Sequence, residues 1–430
     1  MSVVTEVRHI EGGRMKRLIL ASFASFVVFP VAVLVFGLDT PAQARVPGQV
    51  AGSTPDIPRP NPTGSDPKPE DAVAAILAAF DKYEVVGMSA AHSNKDLDDF
   101  ILGLIRNPAL PDKVNDIAVG CGNSLYQSVL DRYIAGDDVP LSEARQVWRN
   151  TTQPMCGLSS FYEQLFPLVR RINQKLLPVH RLRMLAGDPA VDWSKVRDPK
   201  DVPLGVRNES MATVMEKEVL SKHRKALMLI GTFHLLHNAS TAGRLPSAVE
   251  LYEQHYPGLT LVIVGHAGFG NWTALTKYND EFEARMASWP IPTLVKTIRG
   301  TWLADLLDMT YSPGVIQERL IHGPSGDQRR VVPVVFKGFS KRVDAYLYLG
   351  PRDLQLMEPR PAEISDDKDY IAELEKRAKL LGDEPINPEK GVKDYNPFRY
   401  DPDFLQRAIK EACESHPKLP CVTPPEVAPE

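Results

Sequence analysis

The chain has 430 residues, of which 43% are hydrophobic and 24% are charged, and its formal net charge at pH 7 is -4. These values are ordinary for a globular protein and exclude a collagen-like or wholly disordered chain. The slight acidity, together with the lack of a basic stripe with interleaved aromatic residues, excludes the electrostatic footprint of a nucleic-acid-binding protein. A chain of this length has room for one large domain with appendages, or for two domains.

The N-terminal segment is predicted to direct export. Residues 14–17 include three basic side chains, residues 18–38 carry no charge, and an Ala-x-Ala cleavage site ends at Ala44. This order is typical of a signal peptide, so we expect cleavage after Ala44 and a periplasmic or secreted mature protein. The alternative is an uncleaved inner-membrane anchor, because 21 residues of helix span roughly 31 Å. Such an anchor is the sole membrane contact that the sequence predicts.

Proline-rich segments flank the middle of the chain. Residues 45–70 contain too few apolar side chains to form a core, which predicts a linker. Residues 385–402 are also polar and rich in proline, and a short helical pattern follows at residues 404–414. We therefore expect one α/β domain at residues 71–350 and a helical, proline-rich C-terminal extension at residues 351–430.

Four cysteines are present, and an exported protein can form disulfides. Cys413 and Cys421 close a short loop in the tail and are the pair that the sequence favours. Cys121 and Cys156 can pair only if the fold brings them together. No Cys-x-x-Cys spacing supports a zinc site.

Strand and helix patterns alternate between the proline-rich segments. Strands are predicted at Tyr83–Ser89, Ile117–Cys121, Arg181–Ala186, Lys225–Ile230, Leu259–Val264, Thr293–Ile298, Val331–Phe336 and Ala345–Leu349. Helices are predicted at Leu97–Arg106, Ser124–Ile134, Ser142–Trp148, Ser159–Leu176 and Ser247–Tyr256, after Arg207 for about four turns, and around Tyr278–Met286. This alternation predicts an α/β fold with a mostly parallel central sheet and helices on both faces.

Several of the predicted strands end in residues that can do chemistry. The candidates are His92 after the first strand, Asn123 after the second, Asp188 and Asp192 after the third, and His234 and His237 after the fourth. Carboxyl ends of parallel strands share one edge of the sheet, so we expect a site there. A histidine at such an edge can bind a metal or move a proton. Asn123 as a helix cap, Asp188 as a turn residue and His237 as a solvated loop residue remain open.

Two further residues are candidates for ligand contact. Arg207 opens the helix before the fourth strand, and its guanidinium can hold a carboxylate through two hydrogen bonds. The alternative for Arg207 is an ion pair at the helix start. His266 lies in a glycine-rich turn without the context of a dinucleotide-binding motif, so it is either part of a flexible loop or a wall of the pocket. A set of Ser89, His92 and Asp188 lacks the Gly-x-Ser-x-Gly turn of hydrolases.

A series of short motifs occurs in order along residues 73–350. The motifs are Gly122-Asn123, Tyr126-Gln127, Asp131-Arg132-Tyr133, Arg181-Leu182-Arg183, Gly187-Asp188-Pro189, Asp192-Trp193, Arg207-Asn208, Met211-Ala212 and Gly231-Thr232-Phe233-His234. This series resembles the superfamily that includes the erythromycin esterase-like hydrolases, the ChaN-like haem-binding lipoproteins and the TraB/Tiki group. The resemblance is strongest to uncharacterised exported bacterial members.

Two positions depart from that superfamily. Its first strand usually ends in Gly-Glu-x-His, where this chain has Ala90 in place of the glutamate, and its second strand ends in a glutamate, where this chain has Gly120. The resemblance implies that those carboxylates activate water in the esterase-like members. Loss of a general base typically lowers a rate by about 10²- to 10⁴-fold. Loss of oxygen ligands also weakens a site for a hard cation.

The sequence therefore predicts an exported protein that binds a small molecule at the strand-end edge and hydrolyses it weakly or not at all. The chemistry is assigned to His92, His234 and Asp188, and ligand contact to Arg207, Asn123, Asp192, His237 and His266. An active ester or peptide hydrolase with a rearranged His/Asp site is one alternative. A haem-binding protein with histidine axial ligands is the other. Haem or a divalent metal are the candidate cofactors, and no residue is assigned as a metal ligand.

Overall fold

The computed structural model describes residues 63–90, 94–242, 245–266, 283–310, 316–323, 326–333, 338–356, 358, 360–381 and 421–422. The predicted signal peptide, residues 1–44, lies outside these ranges. No helix within them is both long and apolar enough to cross a lipid bilayer.

The strands and helices follow the predicted alternation closely. The strands are β1 (Glu70–Asp71), β2 (Val85–Ser89), β3 (Asp116–Asn123), β4 (Arg183–Asp188), β5 (Ala226–Ile230), β6 (Thr260–Gly265), β7 (Thr293–Val295), β8 (Ile316–Gly323), β9 (Gly326–Pro333), β10 (Ala345–Tyr348) and β11 (Cys421–Val422). The helices are α1 (Ala72–Ala79), α2 (Lys95–Arg106), α3 (Gln127–Ala135), α4 (Leu141–Ala144), α5 (Gln146–Arg149), α6 (Ser160–Asn173), α7 (Arg207–Val214), α8 (Ala248–Glu253), α9 (Trp302–Thr310), α10 (Ala362–Ser365) and α11 (Lys368–Leu381).

The central sheet has eight strands in the order β1-β7-β10-β6-β2-β5-β3-β4. Neighbours from β10 to β4 all pair in parallel, whereas β7 is antiparallel to both β10 and β1. The predicted α/β fold with a mostly parallel sheet is confirmed. Its consequence for the site is that six strands direct their carboxyl ends to one edge.

Helices cover both faces of this sheet because strand side chains alternate between them. Along β2, Val86 and Met88 pack into one apolar layer with α1, α2, α3 and α6. Val85 packs into the opposite layer with α7, α8 and α9. Strands buried on both faces are nearly continuous apolar runs, which is why the sequence revealed them. Full burial of each large apolar side chain stabilises the fold by about 1.5–3 kcal/mol.

One predicted strand belongs to a different sheet. The pattern at Val331–Phe336 was expected to add a strand to the central sheet, but β9 ends at Pro333 and pairs antiparallel with β8. With β11 these strands form a separate three-stranded sheet. The reason is the short connection from β8 to β9, because parallel neighbours need a crossover of a dozen or more residues.

The C-terminal extension packs against the loop that follows α5. In α11, Tyr370 Oη and Arg377 Nη1 both donate hydrogen bonds to the carbonyl oxygen of Arg149, at 3.0 and 3.2 Å. Arg377 Nη2 also donates to Asn150 Oδ1 at 2.8 Å, and its guanidinium lies over the ring of Trp193. The C-terminal extension therefore holds Arg149 and Asn150 in place, two residues that come shortly before part of the strand-end edge in the sequence.

A disulfide joins Cys121 in β3 to Cys156 just before α6, with a Cα–Cα distance of 5.5 Å. The fold thus brings together the pair that the sequence left conditional. The favoured pair, Cys413 with Cys421, involves side chains outside the described residues and stays a prediction.

Candidate functional site

Asp188 lies at the strand-end edge and is the last residue of β4. The sequence placed it just after the strand, with a turn residue as the alternative, but the strand runs on to include it, paired with Asn123 of β3. Its side chain is fully buried. It accepts hydrogen bonds from Thr152 N at 2.6 Å, Thr152 Oγ1 at 2.8 Å and Arg207 Nε at 3.0 Å. Burial raises the pKa of the Asp188 carboxyl, although Arg207 and Thr152 act in the opposite direction.

Arg207 connects Asp188 to His234. It is the first residue of α7, and its side chain is 13% exposed. While Nε donates to Asp188, Nη1 lies 3.4 Å from His234 Nε2. The ion pair considered from the sequence is therefore present. A guanidinium has five N–H groups, and the other N–H groups of Arg207 have no hydrogen-bond partner among the residues the structure describes.

His234 ends a short 3-10 turn that begins just after Gly231. Its Nδ1 contacts Asn208 Oδ1, while Asn208 Nδ2 donates to the carbonyl oxygen of Pro246 at 2.7 Å. The Pro246 carbonyl can only accept, so it orients the Asn208 amide with its oxygen towards His234. Nδ1 of His234 therefore carries the hydrogen, and in the neutral ring the lone pair of Nε2 faces Arg207.

One connected polar network thus crosses the edge, and it consists of Asp188, Arg207, His234 and Asn208. The sequence predicted the first three as site residues, and the structure brings them together. Asn208 and the supporting Thr152 were not singled out. Asn208 had one signal in the sequence, its place beside Arg207 in the Arg-Asn motif. Thr152 had none, because it reaches Asp188 from 36 positions away.

Asn123 acts as a helix cap, which is the alternative to ligand contact that the sequence left open for it. Its Nδ2 donates to the carbonyl oxygens of Asn150 and Val191, and its Oδ1 accepts from Leu125 N and Val191 N. These four bonds use both amide hydrogens and both lone pairs. These bonds fasten the end of β3 to Asn150, to Val191 and to the turn that follows the strand, and the predicted ligand contact of Asn123 stays a prediction.

Asp192 is engaged in local turn contacts. Its carboxylate accepts from Ser194 N and Oγ and pairs with Lys195 at 2.8 Å. Hydrogen bonds from Lys195 and Ser194 lower the pKa of Asp192 to about 2. None of its described contacts joins it to Asp188 or Arg207, so its predicted ligand contact stays a prediction.

His237 lies apart from the polar network that contains Asp188, Arg207 and His234. Its Nδ1 contacts Glu253 and its Nε2 contacts Asp344, each at 2.8 Å. Asp344 directly precedes β10, so His237 sits beside the start of that strand and not at its carboxyl end. It is part of a half-buried charge cluster and not a solvated loop residue, and its predicted ligand contact stays a prediction.

His266 follows β6 at the strand-end edge and is 1% exposed. Its Nε2 contacts Glu283 Oε1 at 2.8 Å, and its Nδ1 contacts the hydroxyl of Tyr346. Burial lowers the pKa of His266 to about 4. The side chain of His266 therefore packs into the interior beside the edge, and its predicted ligand contact stays a prediction.

Position 90 and position 120, where the superfamily that the sequence resembles has glutamates, differ in the space around them. Ala90 directly follows β2 and is 5% exposed. Gly120 lies within β3, where an added Cβ would come within 2.6 Å of Ile230 Cγ1. A glutamate at position 120 would therefore have to displace a buried side chain of the neighbouring strand.

The described residues do not fit a bound metal or haem. No group of three His, Cys, Asp or Glu side chains among them is arranged to hold a metal ion. Both ring nitrogens of His234 are engaged, by Asn208 and by Arg207, so an iron atom would have to break one of these contacts. His92, the other histidine to which the sequence assigns chemistry, lies in residues 91–93, which the structure does not describe. The described residues therefore assign no role to a metal or to haem.

A shallow cleft of about 510 Å³ borders this region. It is lined by Ser124, Pro189, Ala190, Pro203, Val206, Glu209, Ser210, Thr213 and Val214. Its lining includes the residues next to Asp188 and Arg207 in sequence, but none of the predicted site residues. Glu209 is the charged residue in this lining, and neither Asp188 nor Arg207 is part of it.

No protein-family model matches the chain, and no curated protein matches it either. Among solved structures, it is similar to a succinoglycan biosynthesis protein, with 8% identity and a TM-score of 0.43 over 67% of this chain and 95% of that one. A protein from Bacillus cereus gives 8% identity and a TM-score of 0.39 over the same shares. ChaN of Campylobacter jejuni, described with cofacial haem binding, gives 12% identity and a TM-score of 0.28 over 45% of this chain and 86% of that one. These likenesses are distant, and the function proposed below rests on the chain's own residues.

Proposed function

We propose that this protein binds a small anionic molecule at the strand-end edge and hydrolyses esters weakly or not at all. The observation that carries the proposal is the placement of Arg207 between Asp188 and His234. These two contacts fix the guanidinium from both sides. A guanidinium held in this way is preorganised for an anion, because little side-chain freedom is lost when the ligand arrives.

The contacts of His234 favour binding over catalysis. A general base needs a lone pair within reach of the substrate. The Nε2 lone pair of His234 instead faces Arg207, and Nδ1 contacts the neutral amide of Asn208 where hydrolases often place a carboxylate. With Ala90 and Gly120 at the two glutamate positions, this edge lacks the groups that the resemblance assigns to water activation.

We also propose that the protein is an exported, distant member of the superfamily named above. The ordered motifs support the membership, and the Ala-x-Ala site supports the export. The Cys121–Cys156 disulfide fits an oxidising compartment.

The binding proposal is tested by titrating benzoate into the full chain by calorimetry. Arg207→Gln should weaken binding by tenfold or more, since a hydrogen bond to a charged group contributes about 1.5–3 kcal/mol. Arg207→Lys is the matched control. It keeps the positive charge but loses the paired N–H donors of the guanidinium, so its benzoate affinity should lie between those of the wild type and Arg207→Gln. Equal affinity in all three proteins would refute the proposal.

The same proteins are assayed with p-nitrophenyl acetate. We expect p-nitrophenyl acetate to be hydrolysed no faster than it is in buffer without protein. Turnover that disappears in His234→Ala would show instead that the edge is a working hydrolase site.

A further inference from the structure

An exposed apolar loop lies between α6 and β4, at the amino-end edge of the central sheet. Leu177 is 69% exposed and Val179 is 84% exposed, and Pro178 between them is exposed as well. We call residues 177–179 the apolar tip. Exposed apolar patches with polar residues around them mark sites of contact with other proteins or with membranes. The surroundings of the apolar tip therefore decide what it contacts.

The apolar tip stands on a fixed base. Asn173, the last residue of α6, is 1% exposed. Its Nδ2 donates to the carbonyl oxygen of Leu182 at 2.8 Å, and its Oδ1 accepts from Leu182 N at 2.9 Å. Pro178 opens a 3-10 turn in which His180 N donates to the carbonyl oxygen of Leu177 at 2.9 Å. The loop thus holds its apolar side chains out from the protein in a defined backbone shape.

Basic side chains surround the apolar tip. Residues 164–187 contain five lysine or arginine residues and no aspartate or glutamate. Arg171 lies on the last turn of α6, Lys175 and Arg181 flank the tip, and all three are exposed. None of the three pairs with a carboxylate among the residues that the structure describes. The described hydrogen bonds of the Arg181 side chain go to backbone carbonyl oxygens, which leave its positive charge unpaired.

Few carboxylates approach this basic segment. Asp112 lies 3.5 Å from Nδ1 of His180. Residues 137–138 are two exposed aspartates that follow Gly136, whose carbonyl oxygen accepts from Arg170 Nη2 at 3.1 Å. Within the described part of the chain, Asp112 is therefore the carboxylate that contacts the segment, which carries three exposed and unpaired cations. A partner of negative charge complements this surface.

We propose that the apolar tip docks this protein on the surface of an anionic lipid bilayer. Leu177 and Val179 enter the headgroup region, and Arg171, Lys175 and Arg181 remain beside the lipid phosphates. Binding at a bilayer interface strengthens with the apolar area buried and with the attraction to anionic lipids. Long basic side chains suit this position, because their stems lie along apolar material while their charged ends stay in the interface. A protruding tip also needs no shaped pocket in a fluid bilayer.

The fold orients the protein on such a surface. The apolar tip precedes β4, whereas Asp188 is the last residue of that strand. The tip and the site around Arg207 therefore lie at opposite edges of the parallel sheet. Docking through the tip leaves the strand-end edge directed away from the lipid, so this inference does not depend on the proposed function.

The test is sedimentation of residues 45–430 with large unilamellar vesicles. This chain contains every described residue and lacks the apolar segment 18–38, which would itself bind lipid. We expect it to sediment with vesicles of equal parts phosphatidylglycerol and phosphatidylcholine, and not with phosphatidylcholine alone. Raising the salt concentration from about 0.05 M to about 0.5 M should release the protein, because salt screens exposed charges.

The apolar contribution is tested by Leu177→Ser combined with Val179→Ser. This double variant should bind the anionic vesicles about tenfold more weakly or worse, because it has no apolar side chains to bury in the interface. Leu354→Ser is the matched control and should bind as the wild type does. Leu354 is 74% exposed and lies in a turn after β10, at the opposite edge of the sheet.

The electrostatic contribution is tested by Arg171→Gln combined with Lys175→Gln. Each basic side chain near an anionic surface strengthens binding by about fivefold, so this pair should weaken it by about tenfold or more. Lys200→Gln with Lys376→Gln removes the same charge from side chains that are 78% and 76% exposed, and should bind as the wild type does. Asp112→Asn removes the carboxylate beside the tip and should strengthen binding.

Three outcomes would overturn the proposal. The first is equal binding to neutral and anionic vesicles. The second is wild-type binding by both double variants of the tip region. The third is the absence of sedimentation with either kind of vesicle, which would leave an acidic protein as the partner of the apolar tip.

Discussion

At the scale of single residues, His237 shows how the fold can charge a buried histidine. Burial alone lowers the pKa of His237, but hydrogen bonds to Asp344 and Glu253 and the charges of these carboxylates outweigh it and raise the pKa to about 9. The unfolded chain has the ordinary value of 6.5. The charged form is therefore stabilised in the folded state, by about 3 kcal/mol.

The sign of this linkage gives the first prediction. Because the folded pKa is the higher one, the stabilisation is fully present below about pH 6.5 and is lost as pH rises through about 9. His237→Gln should remove this pH dependence from the free energy of unfolding, measured by denaturant titration across that range. Glu253→Gln leaves one carboxylate partner and should move the loss to lower pH. An unchanged slope in His237→Gln would rule out the cluster as its source.

Residue type alone did not separate structural from functional roles at this edge. Asn123 and Asp188 end two neighbouring strands. The side chain of Asn123 bonds to backbone groups of Leu125, Asn150 and Val191, whereas Asp188 anchors the side chain of Arg207. Burial is equally hidden from the sequence at Asp98 in α2. An acidic residue in a first helical turn is usually an exposed partner of the helix dipole, yet Asp98 is 6% exposed.

At the scale of elements, α11 supports the site through the loop after α5. Arg377 contacts the carbonyl of Arg149 and the side chain of Asn150. Two residues later, Thr152 donates twice to Asp188, which in turn holds Arg207. The C-terminal extension, predicted as an appendage, is thus connected to the proposed ligand contact through hydrogen bonds at both ends of the backbone segment 149–152.

This connection gives the second prediction. Arg377→Leu should lower the free energy of unfolding by about 1–3 kcal/mol, because it removes the hydrogen bonds to the Arg149 carbonyl and to Asn150 Oδ1, while Tyr370 still donates to that carbonyl. It should also weaken benzoate binding by about threefold or more, since small displacements of a positioned group are costly. Calorimetry and denaturant titration check both effects. The control is Lys376→Leu, whose side chain is 76% exposed. Equal affinity in the two variants would mean that α11 does not position Arg207.

The central strands were predictable from sequence to within a few residues, because buried parallel strands are short apolar runs between turns. The placement of β9 was not, since its apolar run looks the same in a hairpin as in a central sheet, and only the connection to β8 separates the two. Contacts between distant residues, such as Thr152 with Asp188, leave no local pattern at all. The site was therefore predictable as an edge, and only in part as a set of side chains.

At the scale of the whole molecule, the disulfide links the fold to the predicted export. Cys121 is 1% exposed and Cys156 is fully buried, and their bond ties β3 to the start of α6 across a sequence separation of 35. Closing a loop of this length stabilises a fold by about 3–4 kcal/mol, mainly by restricting the unfolded chain. Disulfides of this kind persist in oxidising compartments and are rare in the reducing cytosol. Export and full stability should therefore occur together.

The last prediction follows from that link. Protein made with its N-terminal segment should be recovered outside the cytosol, start at Arg45 by N-terminal sequencing, and contain the Cys121–Cys156 bond in non-reducing peptide mapping. Protein made from residue 45 in the cytosol should lack the bond and unfold with about 3–4 kcal/mol less free energy, as should exported Cys121→Ala with Cys156→Ala. The same mapping tests the Cys413–Cys421 pair, with Cys413→Ala as its control. An intact N-terminus would indicate a retained anchor, and equal stability of the oxidised and cysteine-free proteins would show that export is not needed for the fold.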